Sequence, residues 1–211
     1  MKDWIGNKPT SFVILGASNH SDKEREENDF YATNPIAIDL LIKDGQAEIN
    51  NNVWECACGK GHLAQKLIDY GFSVKSTDLI YRGFGVGGVD FLTTSEKWDG
   101  DIVTNPPYKY AKEFVEKALD IIPPGRKVFM FLKIQFLEGQ ARQKLFETMQ
   151  LKTVYVCTKR VLCAVNGDFK DNMSSAVCYA WFEWEKGYHN NPQIKWINTQ
   201  KSNSDKQTTL F

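Results

Sequence analysis

Apolar and polar positions along this chain follow two rhythms that exchange repeatedly. Short apolar runs bounded by turn residues occur at 52–57, 101–104, 127–133, 152–157 and 176–184, and each reads as a strand; the mixed stretch 73–77, ended by Asp78, reads as a further one. Between several of them apolar residues recur at helical spacing, over 36–42, 61–70, 110–121 and 138–149. Pro35 stands where a first-turn proline is tolerated, and Gly71 stands where a helix stops. Strands alternating with helices predict an α/β domain on a mostly parallel sheet. Ligands of such sheets sit at the carboxyl ends of the strands.

The rhythm fades at both ends. Residues 1–28 are polar, with a charge run from Asp22 to Glu27, and read as an N-terminal arm. The domain spans 29–187, and 188–211 reads as a flexible tail. A chain of 211 residues with 42% hydrophobic residues is enough for one domain with a proper core. Nothing reads as a signal peptide or a membrane span, so the chain is expected in the cytoplasm, not in a membrane. The five cysteines, at 56, 58, 157, 163 and 178, lack paired zinc-ligand spacing and read as small buried hydrophobes, with no metal expected. Lys plus Arg (26) balances Asp plus Glu (26), so a nucleic-acid partner must be met by positive charge gathered on one face.

Two segments carry chemistry. The first is Glu55-Cys56-Ala57-Cys58-Gly59-Lys60-Gly61, a glycine turn between a strand and a helix. Gly59 and Gly61 permit close backbone approach to a ligand and tight strand-to-helix packing; a tight turn without a ligand is the alternative. The next strand is closed by Asp78, placed to accept two ribose hydroxyls or to sit in a solvated turn. Asp90, before Phe91, either binds an adenine amine or caps a turn. The second segment is Asn105-Pro106-Pro107-Tyr108, which follows the apolar strand 101–104. Its prolines end both strand and helix and stiffen the turn. The Asn105 amide oxygen and the Pro106 carbonyl can accept both N–H bonds of a planar amine, while Tyr108 stacks on its face. The plain alternative is a strand-to-loop transition with a tyrosine lid.

In this order the pieces resemble the class I S-adenosylmethionine-dependent methyltransferases, and within them the DNA methyltransferases that modify the N6 amine of adenine. The resemblance implies a Rossmann-like fold with a terminal antiparallel hairpin, and S-adenosyl-L-methionine as cofactor. It implies cofactor contacts from Glu55, Ala57, Gly59, Gly61, Asp78, Asp90, Phe91 and Asn105, and a catalytic turn of Asn105, Pro106, Pro107 and Tyr108. Asp29-Phe30-Tyr31-Ala32-Thr33-Asn34-Pro35 resembles the family's segment for the methionine end of the cofactor, which makes Tyr31 and Thr33 candidates. Ala32 and Asn34 depart from the family's usual Phe-Tyr-Thr-Pro. The stretch from Gly16 to Pro35 looks like phage and prophage members of the group.

For the target, Lys133 and Arg142 leave a central strand beside the Asn105 turn, and Lys159, Arg160 and Phe169 lie on the long connection 158–175; plain helix-opening polarity at Lys133 and Arg142, and solvated surface charge at each cation, are the alternatives. Connections of that length are usually functional or disordered. The tail ends in Gln207, Leu210 and Phe211, similar to the pentapeptide by which bacterial DNA enzymes dock on the sliding clamp. DNA and that clamp are therefore the expected partners. Asn-Pro-Pro-Tyr also serves methyltransferases of a release-factor glutamine amide and of ribosomal RNA, and a non-catalytic clamp- or DNA-binding module on this scaffold is a further reading.

Overall fold

The computed structural model describes residues 32–147, 150–161, 163–164 and 177–198. Nine strands are present among them: β1 (Ala32–Thr33), β2 (Asn52–Glu55), β3 (Ser73–Ser76), β4 (Asp101–Thr104), β5 (Lys127–Lys133), β6 (Leu151–Cys157), β7 (Cys163–Ala164), β8 (Tyr179–Glu185) and β9 (Gln193–Ile197). Four helices accompany them. They are α1 (Ile36–Asp39, continued by a π-helical turn over Leu40–Asp44), α2 (His62–Asp69), α3 (Ala111–Ile121) and α4 (Gln140–Glu147).

Seven strands form the central sheet in the order β3-β2-β4-β5-β8-β6-β9. The pairs β3–β2, β2–β4, β4–β5 and β6–β9 are parallel, and β8 runs antiparallel to both β5 and β6. The mostly parallel sheet with an antiparallel β6–β8 pair in its C-terminal part agrees with the sequence reading; β8 is inserted between β5 and β6, and β9 forms the edge beyond them.

Both faces of the sheet are covered, and the period of two along the strands divides the core. Val128, Met130 and Leu132 of β5 pack with Phe114, Val115 and Ile121 of α3 and with Trp184 of β8. Phe129 and Phe131 face the other way, among Ile38 and Leu41 of α1, Leu63 and Leu67 of α2, and Trp181 of β8. The Trp181 indole N–H donates to the Ala37 carbonyl at 2.8 Å, so this large buried ring leaves no polar group unmatched. The helix α2 ends where Gly71, at φ 91°, donates its N–H to the Ile68 carbonyl at 2.8 Å.

Two expectations are corrected. The strand expected over 176–184 is shifted, to Tyr179–Glu185. The tail expected from residue 188 does not begin there, because Gln193–Ile197 form β9, in register with Thr153–Cys157 of β6. Among the described residues no helix is long and apolar enough to cross a membrane.

Candidate active site

β2, β3, β4 and β5 deliver their carboxyl ends to one edge of the sheet. Around that edge lies a cavity of about 1110 Å³. Glu55, Asp78, Asp90, Asn105, Tyr108 and Lys133 all line it. Segments up to 78 residues apart in sequence thus meet in one space, as expected of a parallel sheet.

The acidic half is built around the glycine turn. Asp78 Oδ2 accepts the Gly59 N–H at 2.8 Å and Oδ1 accepts the Ile80 N–H at 2.9 Å. The carboxylate therefore pins the turn to the end of β3, and each oxygen keeps a further lone pair. Gly59 and Gly61 adopt φ 54° and 84°, in the left-handed region where glycine is favoured. A Cβ on Gly61 would lie 2.3 Å from Cγ of Phe84. Backbone handedness and the ring of Phe84 are each sufficient to require glycine at position 61.

Glu55 is buried at the end of β2, where Oε1 accepts the Thr104 hydroxyl at 2.5 Å and the Ala57 N–H at 3.2 Å. Burial pushes its carboxyl up to about 8, against the lowering effect of those two bonds, and the charge of Asp78 adds to the rise. Two other buried carboxylates, Asp101 and Glu183, do not line the cavity and serve the fold. Asp101 accepts the N–H groups of Asn50 and Lys127 at 2.7 and 2.8 Å, and Glu183 accepts the Tyr155 hydroxyl at 2.8 Å.

The position of Glu55 yields a stability prediction. Its folded-state value lies above its unfolded one, so the folded protein holds the extra proton between roughly pH 4.5 and 8. The contribution is fully present below that window and is lost as pH rises through it. Relative to Glu55→Gln, which keeps an acceptor oxygen, the wild type should lose on the order of 4 kcal/mol between pH 5 and pH 8. Urea unfolding of both proteins at both pH values measures this; parallel pH profiles would contradict it.

Asp90 and Phe91 divide their roles. Asp90 caps its own turn, with Oδ1 accepting the Leu92 N–H at 3.0 Å, and also lines the cavity. Phe91 is a wall residue rooted in the core, stacked on Phe114 at 5.1 Å and edge-on to Trp54 at 5.4 Å.

The other half of the cavity is the proline turn. Past Thr104 the chain leaves β4, and the Pro107 carbonyl accepts the Tyr110 N–H at 2.9 Å to open the 3₁₀ turn Tyr108–Tyr110 and then α3. The Asn105 side-chain N–H donates to the Thr33 hydroxyl at 2.7 Å. The Tyr108 hydroxyl donates to Cys163 Sγ at 3.6 Å, and Lys133 Nζ lies 4.9 Å from the Tyr108 ring centroid. Burial, with Cys163 and Tyr179 adding, drives the Tyr108 phenol well above its usual value, so it stays protonated and is no base at neutral pH. Burial likewise raises the Cys56 thiol and pushes that of Cys58 up to about 12, so neither supplies a nucleophilic thiolate.

The remaining candidates divide. Arg142 does not line the cavity. Its guanidinium bonds the carbonyls of Phe136 (2.7 Å), Gln135 (3.2 Å) and Glu138, so it caps its own loop. Lys159 and Arg160 are exposed outside the cavity, with Arg160 against Cys178 Sγ. Tyr31, Phe169, Gln207, Leu210 and Phe211 lie outside the described residues. Sequence reasoning missed Lys60, Leu79, Ile80 and Arg82 on the cavity wall, and Cys163 behind Tyr108. The apolar pair after Asp78 was a usable signal for Leu79 and Ile80; Cys163 had none.

The donor set fits S-adenosyl-L-methionine. Among the lining residues Asp78 and Asp90 offer acceptor oxygens to a ribose diol, an ammonium and an adenine amine, Glu55 adds a buried carboxyl, and Lys60 and Arg82 suit a carboxylate.

No family model matches the chain, and neither does any curated protein. Solved structures do. A Listeria monocytogenes protein described as a class I S-adenosylmethionine-dependent methyltransferase superposes with a TM-score of 0.55 at 13% identity, over 90% of this chain and 71% of that one. A protein of Pyrococcus horikoshii described as an RNA methyltransferase gives 0.55 at 14% identity, over 86% and 99%. A Vibrio vulnificus protein described as the modification subunit of a type I restriction enzyme gives 0.56 at 10% identity, over 95% and 54%. Identities this low speak to the fold. The chain has the α/β, Rossmann-like fold of the class I S-adenosylmethionine-dependent methyltransferases.

Proposed function

We propose that this chain is a methyltransferase that moves a methyl group from S-adenosyl-L-methionine to the N6 amine of adenine in DNA. The observation that carries the reading is the placement of Asn105-Pro106-Pro107-Tyr108 in the same cavity as Glu55 and Asp78. Glu55, Asp78 and Asp90 would hold the cofactor, with Ala57 beside them. When bound, the cofactor supplies an activated methyl on sulfur.

The chain's own residues do the rest. An adenine amine is a weak nucleophile because its lone pair is conjugated with the ring. The Asn105 amide oxygen and the Pro106 carbonyl accept its two N–H bonds, restore electron density to nitrogen and stabilise the positive charge that develops there. Tyr108 stacks on the extruded base, and Lys133 adds positive charge at its ring. Holding the amine in line with the methyl supplies the proximity term. A protonated Tyr108 and protonated thiols are consistent with direct transfer without a covalent enzyme intermediate.

Labelled methyl groups offered with duplex DNA, RNA and release factor should appear in DNA. Preferential label in RNA or in a glutamine amide would replace the substrate and keep the reaction. Lys159, Arg160 and Phe169 are proposed to meet the target, and Gln207, Leu210 and Phe211 to tether the enzyme to the sliding clamp, which raises its concentration near DNA without a basic surface. Deleting residues 207–211 should abolish retention on immobilised clamp; unchanged retention would end that part.

A further inference from the structure

The proline turn is gripped at both ends by one small structural unit. β1 and β7 pair antiparallel with Thr33 opposite Cys163, apart from the main sheet. Thr33 takes the Asn105 side chain at 2.7 Å, and Cys163 takes the Tyr108 hydroxyl at 3.6 Å. The Cys163 thiol also lies 4.0 Å from the Thr33 hydroxyl, so the two anchors touch each other. Thr33 is buried and Cys163 half-buried.

We infer that Thr33 and Cys163 are positioning residues: the β1–β7 pair fixes which way the Asn105 amide faces and where the Tyr108 ring lies. The inference rests on the proposed methyl transfer to a planar amine.

A side-chain amide has one donor end and one acceptor end. The mechanism needs the acceptor end toward the substrate; a flipped Asn105 would present N–H to N–H. A hydroxyl can donate as well as accept, so the choice is settled where the Thr33 hydrogen is engaged by Cys163 Sγ, 4.0 Å away, and the Thr33 oxygen can then only accept from the N–H end of Asn105. Threonine suits the task, because its branched Cβ restricts rotation about χ1 and so holds the hydroxyl in place. Cys163 does the equivalent for Tyr108, whose ring would otherwise pivot about its own side-chain bonds.

The test compares Thr33→Val, which keeps the shape and removes the hydroxyl, with Thr33→Ser, which keeps the hydroxyl. Val should lower kcat by about tenfold to a hundredfold while both KM values stay within about threefold, and Ser should recover most of the loss. If the hydroxyl served the cofactor instead, the loss would fall on the cofactor KM with kcat unchanged, and the inference would be wrong. Wild-type kcat in Val, or no recovery in Ser, would also overturn it.

A second readout needs no substrate. The Asn105 side-chain amide protons, identified by their disappearance in Asn105→Ala, should exchange slowly with solvent in wild type and Thr33→Ser and quickly in Thr33→Val. Unchanged exchange in Val overturns the inference even where methyl transfer fails to occur. Conversely, protected protons in a protein that does not methylate DNA would sink the proposed substrate and leave the positioning role standing.

Discussion

Replacing Asn105 with alanine should lower kcat by on the order of 10³-fold, while cofactor affinity stays within about threefold of wild type. In the proposed reaction the acceptor removed is one of the two that draw the amine hydrogens away, and it acts most strongly when charge appears on nitrogen. Its effect therefore belongs to the chemical step. Asn105 sits beyond the buried end of β4, so truncation leaves the strand's pairing with β2 and β5 in place. Single-turnover transfer and calorimetric cofactor titration separate the two quantities. A fall in cofactor affinity with an intact rate would reassign Asn105 to cofactor binding.

Asp78→Ala should show the opposite pattern, with cofactor affinity reduced by about 10²-fold or more. The side chain bonds the Gly59 and Ile80 backbone N–H groups, so its removal releases the glycine turn as well as the acceptors offered to a ribose. Thermal unfolding run alongside shows whether the fold survives. Near-normal affinity in a folded variant would remove Asp78 from the site. Together the two variants give a double dissociation that a purely structural account of either residue does not produce.

Much of this architecture is legible in the amino-acid order, for physical reasons. Three strands, β2, β4 and β5, centre on short apolar runs bounded by polar turns, while β3 (Ser73–Ser76) is legible only from its place between α2 and Asp78. The helices α2 and α3 keep a helical period because each buries a single face, Leu63, Ala64 and Leu67 in one and Phe114, Val115 and Ala118 in the other. The proline turn is equally readable, since two prolines leave the backbone few options.

What could not be read depends on long-range packing. β9 is an edge strand whose Gln193-Ile194-Lys195-Trp196 alternation is brief and leads to no buried face, since Ile194 and Trp196 stand exposed and only Ile197 is buried. Arg142 looks like a target contact by its position after β5, but three nearby backbone carbonyls claim it. The ring of Phe84, far along the chain, occupies the flank of Gly61, and nothing beside Gly61 in the sequence announces that neighbour. The Thr33–Asn105 bond joins residues 72 positions apart, and no local pattern announces it.

The most direct test is a nucleoside analysis. Duplex DNA incubated with the full chain and S-adenosyl-L-methionine is digested and resolved by mass spectrometry, beside the Asn105→Ala variant. The account predicts N6-methyladenine with wild type and none with the variant. Unmodified adenine despite cofactor bound in the cavity, or equal methylation by the variant, would contradict it.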